Sequence, residues 1–265
     1  MMPKIEILSE SPEKIVFKLL DASPALANSI RRAMKSLVPV LAIDYVDFYV
    51  NSSNFYDEMI AHRLAMLPIK TDLNRFNLRE NCSCGGVGCP SCQISFRLNV
   101  EGPKVVYARD FISDDPSIHF AFGEIPVLEL FKGQQLMVEA VARLGTGKEH
   151  SKFQPVAACF YRIIPMVVIN ENCDFCRNCI AACPRGILEE RGGKVIAKSL
   201  ENCSLCRECE KVCETKAIRV AETNDFFFVA EGTGALPVKE VLLRAINILK
   251  EKAENFNKLL SEINV

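Results

Sequence analysis

Apolar and polar residues alternate with a period near two at residues 4–9 (KIEILS) and 14–20 (KIVFKLL), separated by Ser9-Glu10-Ser11-Pro12. This pattern predicts a strand pair or hairpin. Ser23 then stands before Pro24, an N-cap followed by Pro at the first helical position, which predicts a helix over 24–36. Leu26, Ile30, Ala33, Met34 and Leu37 give that helix an apolar stripe, and Arg31, Arg32 and Lys35 fall on its other side, most simply as a solvated face. VPVLAIDYVDFYV, β-branched and aromatic, reads as a strand with Pro39 at its start. DEMIAHRLAMLPI (57–69) reads as a short helix with Met59, Ile60, Leu64 and Leu67 toward a core, ended by Pro68. His62 within it is read as a structural hydrogen-bonding residue. Residues 93–144 alternate through an antiparallel β region (ISFRLNVEG, KVVYARDF, IPVLELFKGQQLMVEAVARL), with turns at Gly102-Pro103 and Lys132-Gly133. NDFFFVAEG reads as a further strand, and a long helix follows over about 237–263. Val238, Val241, Leu242, Ala245, Ile248, Leu249, Phe256, Leu259, Leu260 and Ile263 form its wide stripe. So long a stripe needs a long partner; part is expected from this chain and part from a matching helix of a second one. The mixture of helices and sheets is of the α+β class.

Cysteine changes this picture most. Between Cys173 and Cys213 lie two runs, CDFCRNCIAACP and CSLCRECEKVCE, each spaced C-x2-C-x2-C-x3-C. That is the spacing of two-cluster ferredoxins, in which three cysteines of one run share an iron–sulfur cluster with the fourth of the other. One site would use Cys183, Cys203, Cys206 and Cys209, the second Cys173, Cys176, Cys179 and Cys213. Pro184 follows Cys183 as the pattern requires, whereas Glu214 follows Cys213, so the first set fits more completely. Disulfides or zinc are the alternative reading of the runs. The spacing does not distinguish a 4Fe-4S from a 3Fe-4S cluster. A further loop, NCSCGGVGCPSC, brings Cys82, Cys84, Cys89 and Cys92 together at C-x-C-x4-C-x2-C. Four thiolates suit a structural Zn²⁺, with disulfides or an empty loop as alternatives. Cys159 stands alone in an apolar setting and reads as a small core residue.

Composition narrows the functional classes. Lys plus Arg (32) against Asp plus Glu (33) gives a net charge of -1, which gives no basis for direct DNA binding. The first residues carry no apolar signal region and no run of roughly 18 apolar residues occurs, so no membrane span and a cytoplasmic protein are expected. Thirteen cysteines in such a compartment point to metal ligation. GTGKEHSKFQPV (145–156) is not a phosphate loop, because Ala142 and Glu149 occupy the positions that need Gly and Ser or Thr. Gly232-Thr233-Gly234-Ala235-Leu236-Pro237 likewise ends in Pro where a dinucleotide fingerprint needs Gly. With three histidines (His62, His119, His150) and no nucleophile arrangement, no catalytic residue is assigned.

Three stretches carry a resemblance. LANSIRRAM with VPVLAI (Leu26 to Ile43), DEMIAHRLAMLPI and GTGKEHSKFQPV resemble signatures of the α-like subunits of multisubunit RNA polymerases, and the cysteine-rich insertion resembles that of the archaeal branch. The resemblance implies a dimerisation domain from 1–40 and 223–265, an inserted β-rich domain at 41–165 containing the loop 82–92, and a ferredoxin-like iron–sulfur domain at 166–222. It implies a non-catalytic assembly subunit that pairs with a smaller α-like subunit L, is joined by small subunits N and P, and carries the large catalytic subunits. Val241, Ala245, Ile248 and Phe256 would face the α-like partner, and Arg31 and Arg32 a large subunit. One or two clusters, of the 4Fe-4S or 3Fe-4S type, would stabilise the domain, with redox sensing as an added role. The competing classes are an electron-transfer subunit of a redox complex and a homodimeric scaffold.

Overall fold

The computed structural model describes residues 3–263. The chain divides into two compact units. One gathers the residues up to Ser9, Val16–Asn28 and Phe160–Val229; the other gathers Glu10–Ile15, Ser29–Cys159 and the residues from Ala230 onward.

The first unit holds most of a sheet of order β1-β2-β14-β9, built from β1 (Lys4–Glu10), β2 (Lys14–Leu20), β9 (Val156–Ile163) and β14 (Phe226–Gly232). Alternation buries Phe17 and Phe228, whose rings stack with centroids 4.7 Å apart, and Tyr161 packs edge-on against Phe226 at 5.3 Å. The first helix, α1 (Pro24–Ser36), begins where the cap predicts, the Ser23 hydroxyl accepting the Leu26 amide at 3.2 Å. Ala27, Ile30, Ala33 and Met34 are its buried residues, while Leu26 and Leu37 are half-buried.

The rest of the first unit repeats itself. β10 (Met166–Ile169), α3 (Asn178–Ala182) and β11 (Leu188–Arg191) are answered by β12 (Lys194–Ala197), α4 (Glu208–Lys211) and β13 (Ile218–Ala221). The outer strands pair with each other, Met166 opposite Ala221 and Ile169 opposite Ile218, and the inner strands do the same from Leu188–Ala197 to Arg191–Lys194. Cys179, Ile187, Leu188, Val195 and Ile218 form the small core between them.

In the second unit β3 (Val40–Asn51), β8 (Gln135–Gly145), β4 (Gln93–Glu101) and β6 (Ile112–Ser113) form an antiparallel sheet in that order, and β5 (Lys104–Tyr107) pairs with β7 (Pro126–Leu130). Phe96, Ile43, Ile60, Leu64 and Leu136 sit in its core. The segment KVVYARDF is a strand only as far as Tyr107. There the Asp110 carboxylate accepts the Tyr107 amide at 2.8 Å and pairs with Lys104 at 2.9 Å, turning the chain into one 3-10 turn. On α2 (Asp57–Ala65), Ile60 and Leu64, one turn apart, define the buried stripe. Met59 lies about 100° around the helix from Ile60, and it is 48% exposed instead of facing the core.

One ion-pair network fixes the connection after β8. The half-buried Asp44 carboxylate accepts Arg143 Nε at 2.7 Å and Lys152 Nζ at 3.0 Å, and Lys152 also donates to the Ile43 carbonyl at 2.9 Å. Arg143 pairs with Glu149 at 3.0 Å, and Glu149 accepts the Thr146 amide at 3.0 Å. Phe153 lies beneath both cations, at 5.0 Å from each. The two glycines of GTG are required by space: a Cβ on Gly145 would meet the Phe153 ring at 2.7 Å, and one on Gly147 the Lys35 carbonyl at 2.2 Å. Burial works to raise the Asp44 carboxyl, but the hydrogen bonds from Arg143 and Lys152 outweigh it and hold the carboxyl below its ordinary value. The stabilisation is therefore complete above the unfolded value of about 4 and is lost as pH falls through the lower folded value. Asp44→Asn is expected to cost about 1–3 kcal/mol in urea unfolding at pH 7, with the difference from wild type shrinking below about pH 4.

Candidate metal centres

The loop 82–92 leaves the 3-10 turn Arg79–Asn81 and returns into β4 at Gln93. Its base is closed by Asn77 N–H donating to the Ser91 carbonyl at 2.8 Å and by Arg79 donating to Gln93 at 3.1 Å. The Sγ atoms of Cys82 and Cys89 are 3.5 Å apart, those of Cys84 and Cys92 3.7 Å, and those of Cys89 and Cys92 3.9 Å. A disulfide needs about 2.05 Å, and all four are free. A tetrahedron with metal–sulfur bonds of about 2.3 Å has edges of about 3.8 Å. The four sulfurs fit one thiophilic ion at its centre. Their acidities diverge as crowded thiols must: hydrogen bonds from the Gly88 amide and the Cys82 thiol bring Cys84 down to about 6, while burial pushes Cys92 up to about 12. Four thiolates at this spacing coexist only around a cation, and taking it up releases protons.

The eight cysteines of the two runs border two further cavities. One cavity is bordered by Cys183, Cys203, Cys206 and Cys209. A second is bordered by Cys173, Cys176, Cys179 and Cys213. Each takes three cysteines of one run and the last of the other. Among the described residues, the loop 82–92 supplies the group whose donor atoms all lie within 4.8 Å of one another. Three cysteines of one run with the last of the other is the ligand sharing of a polynuclear cluster rather than of a single ion.

Local backbone geometry explains how short runs converge. Phe175 and Leu205 both have φ 57°, Arg177 63° and Arg207 59°, and Gly186 58° and Lys216 52°. Non-glycine residues in the left-handed region cost about 1–2 kcal/mol each, so the same turns in both runs mark a chain bent to aim its thiols inward. Lys216 takes the turn that Gly186 takes in the other half, with its amide donating to Cys213 O at 3.1 Å as Gly186 donates to Cys183 O at 3.1 Å. Glu214 in place of Pro thus leaves the local path unchanged. Burial pushes Cys209 up to about 11 and raises Cys179, so these thiols ionise only against a metal.

Residues 46–161 match the RNA polymerase Rpb3/RpoA insert domain, a span from within β3 into β9 that includes the loop 82–92 and the two cations, Arg143 and Lys152, that bind Asp44. The DNA-directed RNA polymerase subunit Rpo3 of Archaeoglobus fulgidus is 66% identical over 263 residues, covering 99% of this chain and 100% of that subunit. The chain belongs to the Rpo3 family of DNA-directed RNA polymerase subunits. Rpo3 of Methanosarcina acetivorans is 43% identical over 99% of this chain and 100% of its own length. Rpo3 of Pyrococcus horikoshii is 35% identical over 96% of each.

The other residues singled out by the Rpo3-type resemblance fall in different environments. Arg32 is exposed and Arg31 half-buried on α1. On α5 (Val238–Ile263), Val241 and Ala245 are fully buried within the second unit, so neither is open to a partner. Ile248 is half-buried and Phe256 is 61% exposed. Asp44, Arg143 and Lys152 escaped the residue-level reading, although Lys152 and Glu149 lie in the GTGKEHSKFQPV signature. Supplied with Zn²⁺, the chain is expected to hold one ion at the loop 82–92, and Cys92→Ser to hold none there. Elemental analysis after dialysis against a mild chelator reads the difference, and the ion should also be shed on acidification because protons compete for the thiolates.

Proposed function

We propose that this polymerase subunit is a non-catalytic assembly scaffold. In this reading it heterodimerises with the smaller α-like subunit L and, with small subunits N and P, forms the platform on which the two large catalytic subunits assemble in the cytoplasm. The observation that carries it is α5. At 100° per residue Val238, Val241, Leu242 and Ala245 share one face with Phe256, Leu259, Leu260 and Ile263, all within about 100° of arc. The first four are buried, and the last four are 41–76% exposed. The same stripe therefore runs out of its own chain halfway along the helix. A helix of about a dozen residues is marginal alone in water, and fully burying each of these side chains stabilises by about 1.5–3 kcal/mol. A matching helix supplies that cover, and the mixed charges on the other face favour a protein partner over nucleic acid or lipid.

The domain boundaries in this reading are 1–40 with 223–265 for dimerisation, 41–165 for the insert, and 166–222 for the iron–sulfur part. The loop 82–92 holds Zn²⁺ as a structural ion. The two runs hold clusters whose thiolate–iron bonds tie the loops together and whose one-electron couple gives the assembly a redox-sensitive part. Cys183, Cys203, Cys206 and Cys209 bind one, and Cys173, Cys176, Cys179 and Cys213 the other. Arg31 and Arg32 are proposed to meet a large subunit. Among the described residues no helix is long and apolar enough to cross a membrane. Affinity purification of the tagged chain from its native extract is expected to recover two very large chains, a small α-like chain and RNA synthesis. Recovery of flavin or nicotinamide enzymes without RNA synthesis would make the clusters an electron path instead.

A further inference from the structure

The two cysteine runs superpose along the sequence with an offset of 30, pairing Cys173 with Cys203, Cys176 with Cys206, Cys179 with Cys209 and Cys183 with Cys213. What breaks the repeat around the cavities is charge. Arg177 and Arg207 are equivalent, and each has a carboxylate partner, Glu190 at 2.7 Å and Glu222 at 3.9 Å, so they cancel from a comparison. Asp174, however, answers to Ser204, and Arg185 answers to Thr215. Arg185 and Arg207 border the first cavity, which has no carboxylate among its bordering residues, for a formal charge of +2. Arg177 and Asp174 border the second, for a formal charge of 0. Glu208 and Glu210 of α4 do not border the first cavity: Glu208 pairs with Lys211 at 2.6 Å, and Glu210 accepts the Val220 amide.

We propose that the two sites are electrically unequal, so that a cluster held by Cys183, Cys203, Cys206 and Cys209 has the higher midpoint potential and takes the first electron. The inference rests on the reading that both cavities hold clusters. Local charge and hydrogen bonds to sulfur are the protein's main levers on such potentials. Positive charge stabilises the reduced cluster, which carries one more electron. Hydrogen bonds to sulfur act in both directions: in the second site Cys213 Sγ accepts the Ala217 amide at 3.2 Å and lies 3.6 Å from the Thr215 hydroxyl, and in the first site Cys203 Sγ accepts the Leu205 amide at 3.4 Å. These are neutral contacts present in both sites and leave the second with one more, whereas the residues bordering the two cavities differ by two elementary charges, so charge sets the order. Arg185 and Asp174 are exposed, which makes the gap sensitive to ionic strength.

The test uses the full chain purified without oxygen, with iron and sulfide measured first, then reduced stepwise by dithionite with redox mediators while electron paramagnetic resonance follows each cluster. Two reduction waves are expected. Asp174→Ser should raise the lower wave alone, Arg185→Thr should lower the higher wave alone, and added salt should narrow the gap. Two clusters reduced in a single wave, or waves that neither substitution moves while iron content is unchanged, would overturn the inference and leave the cluster reading intact. A chain without iron or sulfide would overturn both.

Discussion

The apolar stripe of α5 is the constraint on which the rest depends. It is continuous in sequence and discontinuous in burial: Val238 to Ala245 are packed in the second unit, and every residue from Glu251 to Ile263 is exposed. The buried half anchors the helix, with Val238 N–H donating to the Pro12 carbonyl at 3.0 Å and Lys239 pairing with Glu10 at 3.0 Å. The exposed half is held straight by helix propensity and the Lys250–Glu254 pair at 3.9 Å, which are modest contributions. Such a helix gains most by meeting another, because the apolar side chains of its outer half have nothing of their own chain to bury against.

The remainder of the second unit gives that surface a fixed base. Asp44 draws together β3, the end of β8 and the segment after it, with Phe153 stacked under the cations and two glycines admitting the close approach. At the other extreme, the small repeat of the first unit has few apolar residues of its own, and its loops spend backbone strain at Phe175, Arg177, Leu205, Arg207 and Lys216 to converge their thiols. If the two runs hold clusters as proposed, metal–thiolate bonds would complete a core that small and make the metals part of folding rather than an addition to it.

Much of this was legible along the chain because local rules were not overridden. The Ser23-Pro24 pair set the start of α1, Lys132-Gly133 turned β7 into β8, and the heptad-like spacing of α5 gave the helix over nearly its whole observed length. The cysteine spacing was readable because ligand geometry imposes short intervals. What was not legible depended on distant partners. Asp44 looks like an ordinary polar residue in an alternating strand, and its cations lie 99 and 108 residues away. The end of β5 turned on one carboxylate, Asp110, and Met59 on which of two adjacent apolar residues faced inward. Periodicity showed that α5 had a wide stripe, but not that Val241 and Ala245 would be covered by their own chain.

The most direct measurement is sedimentation of the chain mixed with the smaller α-like subunit of the same polymerase, comparing wild type with Phe256→Asp/Ile263→Asp. A stable one-to-one complex for wild type, and separate species for the variant with its zinc and iron content unchanged, is the expected result. Equal complex formation by the variant would show that the exposed half of α5 is not the surface on which the assembly is built.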